Sequence, residues 1–325
     1  MLTAAIIGCG DIAGGFDDRS VPPNVLTHAG AYAACIGAVR LAAACDPSEE
    51  ARRSFLACRP GVQGYEDPAA MLAAVRPDIV SVCSPTPWHE RHVALALESG
   101  ARAVICEKPL ATDAATAAAM LRECRRRGVL LCVPYLRRWA PHFTALGRDI
   151  AEGRYGGLQA ATVAYTKGLR HNASHFVDLL GAWCGDWRGP RVICGEAWGG
   201  DDAAADFAVM FGSVRAMFLH LRAECYEVLE MQLFFEEGRV DVLRGGREFR
   251  RHALAAHPVL RGGRILASPP VVEEWTQDRN MAHMLRNVLE ALAGTRPLAA
   301  QPEEAVRALA LCDAVIAALK GRSHG

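Results

Sequence analysis

A few stretches of this sequence have the residue types and spacing to do chemistry. Gly8-Cys9-Gly10-Asp11-Ile12-Ala13 reads G-x-G-x-x-A directly after the apolar run Ala4 to Ile7. In that setting the first glycine permits a tight turn, the second lets the backbone approach a pyrophosphate, and the small third residue lets a helix pack close to a strand. Exposed amides at the start of such a helix attract phosphate charge. Val104-Ile105-Cys106-Glu107-Lys108-Pro109-Leu110 is an apolar run that ends in a glutamate, a lysine and a proline. A lysine there would sit at the carboxyl end of a strand, where ligands bind in open α/β sheets. Read alone, Glu107-Lys108-Pro109 also describes a surface turn.

Two histidine pairs raise the question of metal. His89 and His92 follow Ser84-Pro85-Thr86-Pro87-Trp88, where a strand gives way to a helix. No acidic or cysteine partner completes a site beside them, and His92 reads as helix-face packing and hydrogen bonding. His171 and His175 lie within Gly168-Leu169-Arg170-His171-Asn172-Ala173-Ser174-His175-Phe176-Val177-Asp178-Leu179-Leu180. Asn172 or Ser174 can cap the helix that starts there, with Phe176, Leu179 and Leu180 on its buried side. The spacing suits zinc, yet the glutamate of H-E-x-x-H is missing. No metal is expected, and the pair reads as a polar cluster facing a cleft.

These residues need elements to hold them. Short apolar runs near Ala4 to Ile7, Leu41 to Cys45, Ile79 to Cys83, Ala103 to Cys106 and Val129 to Val133 alternate with helical patterns at Ser48 to Cys58, Trp88 to Ser99 and Thr112 to Arg127. Alternation of this kind calls for a parallel sheet with helices on both faces, which makes the fold class α/β. Gly100 and Gly128 stand where helix stops are expected. After about Tyr135 a helical stretch near His142 to Glu152 gives way to strands at Leu158 to Thr166, Arg191 to Ala197, Phe207 to Phe211, Arg215 to Arg222, Glu227 to Phe235 and Arg239 to Leu243. Strand following strand argues a mostly antiparallel open sheet, and helices near Arg279 to Ala293 and Glu303 to Leu319 close the chain. The expected division is a nucleotide-binding domain over 1–135 and an α+β domain over 136–325, whose sheet could pair with another subunit.

Within the first domain the glycine loop and the strand ends define a dinucleotide site. Asp46, ending the second strand, is the acidic residue expected on the ribose, although it lies farther on than the usual spacing of about 20 residues. An inserted loop over Phe16 to Val25 accounts for the excess. Asp46 would accept hydrogen bonds from ribose hydroxyls and repel a 2′-phosphate, and Pro47-Ser48 after it offer no arginine. NAD is therefore favoured over NADP. The Ser84, Thr86, Pro87 and His89 segment would line the nicotinamide ribose.

Composition narrows the partners. The 325 residues include 36 Lys plus Arg and 36 Asp plus Glu, so no global field invites nucleic acid or an anionic membrane. The 12 cysteines are scattered singly, without C-x-x-C spacing, and read as small buried hydrophobes in a reducing, cytoplasmic compartment. Met1 to Gly8 reads as a first strand, and no apolar run is long enough to span a membrane.

Taken in order, Gly8-x-Gly10-x-x-Ala13, Asp46-Pro47, Pro85-Thr86-Pro87-x-His89-x-x-His92, Glu107-Lys108-Pro109, Tyr135 with Arg137-Arg138, and His175-x-x-Asp178 resemble the glucose-fructose oxidoreductase, inositol dehydrogenase and MocA-like (Gfo/Idh/MocA) oxidoreductases. The resemblance implies an amino-terminal Rossmann domain, a carboxyl-terminal domain with an open sheet, and NAD(P)-dependent hydride transfer between nicotinamide and a secondary alcohol or ketone of a sugar, sugar derivative or cyclitol. A ketosugar reductase of secondary-metabolite biosynthesis and a non-catalytic NAD-binding regulator are the alternatives. The family's lysine maps onto Lys108 and its catalytic histidine onto His175; its usual aspartate falls on His171, a departure. His175 is then the expected general base, Lys108 the electrostatic partner and His171 an orienting or relay group. Gly8, Gly10, Asp11, Ile12, Ala13, Asp46, Ser84, Thr86, Pro87, His89, Glu107 and Lys108 would hold the cofactor. Tyr135, Arg138, Trp139, Tyr165 and Lys167 are candidates for a polyol pocket, with packing as the competing reading. His28 and the Phe16 to Val25 loop are further candidates for covering the site, and the partner through the sheet would make a homodimer or homotetramer.

Overall fold

The computed structural model describes residues 1–20, 24–199, 202–276 and 278–322. They divide into two compact units, Met1–Ala140 with Asp278–Val306, and Pro141–Gln277 with Arg307–Gly325.

The first unit runs β1 (Leu2–Ile7), a π-helical turn at Asp11–Gly15, α1 (Phe16–Asp18), α2 (His28–Ala34), β2 (Val39–Cys45), α3 (Glu49–Ala57), β3 (Gln63–Tyr65), α4 (Pro68–Val75), β4 (Ile79–Val82), α5 (His89–Glu98), β5 (Ala103–Cys106), α6 (Ala114–Arg126) and β6 (Leu130–Cys132). The strands form one sheet in the order β3-β2-β1-β4-β5-β6, every pair parallel. The order reverses beside β1, the place where a doubly wound sheet opens a crevice for ligand. Continuous apolar strands fit burial on both faces, and β4 and β5 are buried along their whole length.

Helix starts follow local chemistry. Thr27 caps α2 by accepting the Gly30 N–H at 3.0 Å, and Asp113 caps α6 by accepting the Thr116 N–H at 2.8 Å. The glycine loop does not open a long helix, as the sequence pattern suggests. It opens the π-helical turn and the short α1, with Gly14 and Gly15 in place of helix-forming side chains. Asp17 then accepts the Leu26 N–H at 2.7 Å and the Thr27 hydroxyl at 2.5 Å, tying this segment to the start of α2. The expected inserted loop is helical up to Asp18, and Val21, Pro22 and Pro23 within it lie outside the described residues.

The second unit carries α7 (Pro141–Ala151), β7 (Leu158–Thr166), a π-helical turn at Leu169–Ala173 and α8 (Ser174–Cys184). After these come β8 (Trp187–Trp198), β9 (Asp202–Phe211), β10 (Val214–Leu221), β11 (Leu229–Phe235), β12 (Gly238–Leu243), β13 (Glu248–Ala256), β14 (Arg264–Leu266) and β15 (Val271–Glu274). The sheet order is β14-β13-β12-β11-β7-β10-β9-β8, with β15 on β13. Among the described residues of this sheet, only β7 and β10 pair as parallel strands. In the middle of β7, Ala161, Val163 and Tyr165 are buried while Ala160, Thr162 and Ala164 between them are partly exposed, so the sheet has one covered and one open face.

The chain then returns. Helix α9 (Asn280–Leu292) packs Met281, Met284, Leu285 and Val288 into the core of the first unit, with Ile6, Tyr32 and Trp139. Helix α10 (Pro302–Arg322) begins in that unit and ends in the second.

Candidate active site

The glycine loop is held from below and open above. Gly8 has φ +96°, and a Cβ there would lie 2.8 Å from the Cys83 carbonyl and the Ser84 nitrogen, so only glycine fits the turn. A Cβ on Gly10 would meet nothing within 4 Å; that glycine keeps space for something outside the fold. Ala13 is fully buried, the close helix–strand packing the motif requires. Asp46 serves the loop directly: its Oδ2 accepts the Cys9 N–H at 2.8 Å and its Oδ1 accepts the Ser48 N–H at 2.9 Å.

A cavity of about 810 Å³ opens here, lined by Gly8, Gly10, Asp46, Ser84, Trp88 and His92 among others. It is large enough for the adenosine part of a dinucleotide. Ser84 Oγ lies 2.8 Å from His92 Nδ1, Trp88 stacks on His92 with centroids 6.0 Å apart, and Arg91 sits over Trp88. Burial, then the Arg91 charge, holds the His92 imidazole below its usual pKa, so the neutral ring is favoured. The Trp88 face and the Glu66 and Asp67 carboxylates on the wall escape sequence reasoning, because they belong to no motif.

His89 is placed differently from the sequence expectation. It is 1% exposed, with Nε2 2.8 Å from the Ser84 carbonyl and Nδ1 3.0 Å from the Pro109 carbonyl. Both ring nitrogens are taken by backbone, so His89 ties two loops together and does not reach a ligand. Thr86 and Pro87 form the short 3-10 turn before it.

Lys108 follows β5, half-buried, in a loop that begins with Glu107 and continues through a cis Lys108–Pro109 bond. Its own N–H donates to Glu107 Oε2 at 3.1 Å. Glu107 Oε1 in turn meets His28 Nε2 at 3.0 Å. His28 is 1% exposed, so it covers nothing and belongs to the interior.

Several candidates for the polyol pocket are occupied in packing. The Trp139 indole N–H donates to Asn287 Oδ1 at 2.9 Å, Arg138 pairs with Glu304 at 2.9 Å, and Tyr135 is 2% exposed. Tyr165 is fully buried; its hydroxyl donates to the Ala205 carbonyl at 2.7 Å and accepts the Ala205 N–H at 3.0 Å. With its hydroxyl held by the Ala205 backbone, it packs in the interior and does not line a pocket.

In the second unit, His171 and His175 occupy successive turns, His171 exposed in the π-helical turn and His175 half-buried at the start of α8. Neither Asn172 nor Ser174 caps: Asn172 Nδ2 donates to the Thr166 carbonyl and the Ser174 hydroxyl to the Arg170 carbonyl, both at 2.8 Å. Asp202 serves that end instead, accepting the Arg170 and His171 N–H groups at 3.0 and 3.1 Å. Lys167, at φ +66°, pairs with Glu227 at 2.6 Å and draws that carboxyl below its usual range. Among the described residues no three His, Cys, Asp or Glu side chains gather as a metal site.

This combination, a doubly wound parallel sheet with a glycine turn, an acidic residue ending β2 and an open cavity above them, defines a dinucleotide-binding protein. Residues 2–135 match the GFO_IDH_MocA family, described as an oxidoreductase family with an NAD-binding Rossmann fold. D-glucoside 3-dehydrogenase of Escherichia coli is 33% identical over 161 residues, covering 50% of this chain and 42% of that protein. Inositol 2-dehydrogenase of Rhodococcus erythropolis is 34% identical over 122 residues, 37% of this chain and 35% of that protein. The chain thus spans less than half the length of these relatives. The fold of the whole chain is shared with UDP-N-acetylglucosamine 3-dehydrogenase from Acidithiobacillus ferrooxidans, with a TM-score of 0.77, 20% identity and 98% of each chain covered.

Proposed function

We propose that this protein is an NAD-dependent oxidoreductase of the cytoplasm that acts on a secondary hydroxyl of a sugar, sugar derivative or cyclitol, or on the corresponding ketone. The observation that carries the reading is the placement of Lys108 at the end of β5, in the same parallel sheet whose β1 and β2 ends build the cofactor cavity. The names of the relatives, dehydrogenases of a glucoside and an inositol, support the substrate class. The residues fit the cofactor: the space over Gly10 would take a pyrophosphate, Asp46 would meet a ribose, and Ser84 lines the same cavity.

Bound nicotinamide supplies the hydride acceptor. The chain supplies the rest. His175 takes the hydroxyl proton, imidazole being the side chain best suited to accept a proton near neutral pH. Lys108, as an ammonium, orients the hydroxyl and stabilises negative charge as it develops on the oxygen. His171 orients His175 or passes its proton on. Asp46 selects NAD over NADP by charge. A second copy of the chain, bound through the open sheet face, makes the molecule a homodimer or homotetramer.

The test is a screen of sugars, inositols, aminocyclitols and nucleotide sugars with NAD and NADP, read at the absorbance of the reduced nicotinamide. Turnover is expected with at least one polyol, faster with NAD, and His175→Ala should reduce kcat by about 10²- to 10⁴-fold. Tight NADH binding without turnover of any substrate class would replace the enzyme by a regulator. A His175→Ala variant with near wild-type kcat would remove that residue from its role.

A further inference from the structure

A buried chain of polar side chains runs through the first unit to the Lys108 backbone. His28 and Tyr32 lie on successive turns of α2, on one face. The Tyr32 hydroxyl is 2.8 Å from Ser81 Oγ in the middle of β4, and Ser81 Oγ is 3.0 Å from His28 Nδ1. His28 Nε2 is 3.0 Å from Glu107 Oε1, and Glu107 Oε2 accepts the Lys108 N–H at 3.1 Å. Tyr32, Ser81 and His28 are at most 3% exposed.

Donor inventory fixes the direction of this chain. Burial pushes the Tyr32 phenol well above its usual pKa, so its O–H is a donor. An ionised carboxylate only accepts, so in this pattern His28 carries its proton on Nε2 and donates that N–H in a hydrogen bond to Glu107 Oε1. The consistent pattern is Tyr32 O–H to Ser81, Ser81 O–H to His28 Nδ1, and His28 Nε2–H to Glu107. Every member is satisfied, the condition under which a buried polar network stiffens its surroundings. On the other side of the loop His89 Nδ1 faces the Pro109 carbonyl at 3.0 Å. Two buried histidines therefore bracket Lys108.

We propose that His28 is a positioning residue: through Glu107 it fixes the Lys108 backbone and hence the direction in which the ammonium leaves the sheet. The proposal rests on the reading of Lys108 as the electrostatic partner in hydride transfer. It assigns a task to a histidine that otherwise would only fill the core, where apolar side chains avoid the cost of burying polar groups.

Four variants of the full chain test it: His28→Gln, His28→Asn, Glu107→Gln and Lys108→Met. A glutamine amide can replace Nε2–H toward Glu107, whereas asparagine reaches only the Ser81 side. Hydrogen exchange over the peptide 104–112, measured without substrate, should rise in His28→Asn and Glu107→Gln and stay near wild type in His28→Gln. On the polyol found in the screen, His28→Asn should lose about 10- to 100-fold in kcat with NADH affinity retained, and His28→Gln should recover most of it. Ring ¹⁵N shifts should show His28 protonated at Nε2 and bare at Nδ1. Equal exchange and equal kcat in His28→Asn and His28→Gln would overturn the proposal, as would a loss that follows only the melting temperature. If Lys108→Met remains active, the reading of Lys108 fails first. If Lys108→Met is dead while the His28 variants behave alike, only this inference fails.

Discussion

Asp46 shows how one side chain can serve the fold and the ligand together. Its two oxygens already accept the Cys9 and Ser48 amides, which leaves lone pairs and a full negative charge for whatever enters the cavity. Replacing it should therefore do two things at once. In Asp46→Ser the ratio of NADPH to NADH dissociation constants should fall at least about tenfold, equal to about 1.4 kcal/mol, while NADH itself binds more weakly because the glycine loop loses an anchor. Fluorescence titration of both cofactors checks this, and an unchanged ratio would sink it. At this scale the sequence was most readable where function depends on neighbours: Gly8, Gly10 and Lys108 announce themselves by their local pattern. The partner of Glu107 did not, because His28 lies 79 positions away and only the fold brings it near. The cysteines show the same limit. Cys9 and Cys45 are buried, which pushes their thiols up to about 12, but Cys58, Cys194 and Cys225 are exposed, against the expectation of uniform burial.

Elements were legible when their pattern was strong. The parallel strands β1, β2, β4 and β5 are nearly continuous apolar runs, and β7 falls on the expected residues Leu158–Thr166. The three-residue edge strand β3 (Gln63–Tyr65) has too little apolar surface to signal itself, and β13 hides behind charge. Arg250 and Arg251 in β13 pair with Glu248 and Glu273, and these charges interrupt the apolar alternation that would mark a strand. Helix α6, which leaves the Lys108 loop, gives an element-level prediction. Asp113 accepts the Thr116 amide and hydroxyl at 2.8 and 2.9 Å, and the Thr116 amide bond is the first cause of its lowered pKa. Asp113→Ala should cost about 1 kcal/mol of stability, read as a lower urea midpoint at unchanged m-value. No change in midpoint would mean that the cap contributes nothing to the fold.

For the whole molecule, two units each with its own sheet follow from the change of texture near Tyr135, but the returning segment did not show in the sequence. Helix α9 has the apolar periodicity of any amphipathic helix, and nothing local states which core it enters. The open sheet face of the second unit carries Leu219 and Leu221, 41% and 37% exposed. If a second copy covers that face, light scattering coupled to gel filtration should give a dimer or tetramer at micromolar concentration, and Leu219→Asp should shift it toward monomer. A wild-type monomer under those conditions would remove the face as an interface.

The return of the chain has a practical side for anyone who wishes to dissect the protein. Met281, Met284, Leu285 and Val288 share one interior with Ile6 and Tyr32, so a fragment ending at Ala140 would present an open apolar trough to water and invite aggregation. A nucleotide-binding fragment has to be spliced, with Ala140 joined by a designed linker to Asp278 and the product ended within α10. No single scission point separates the halves.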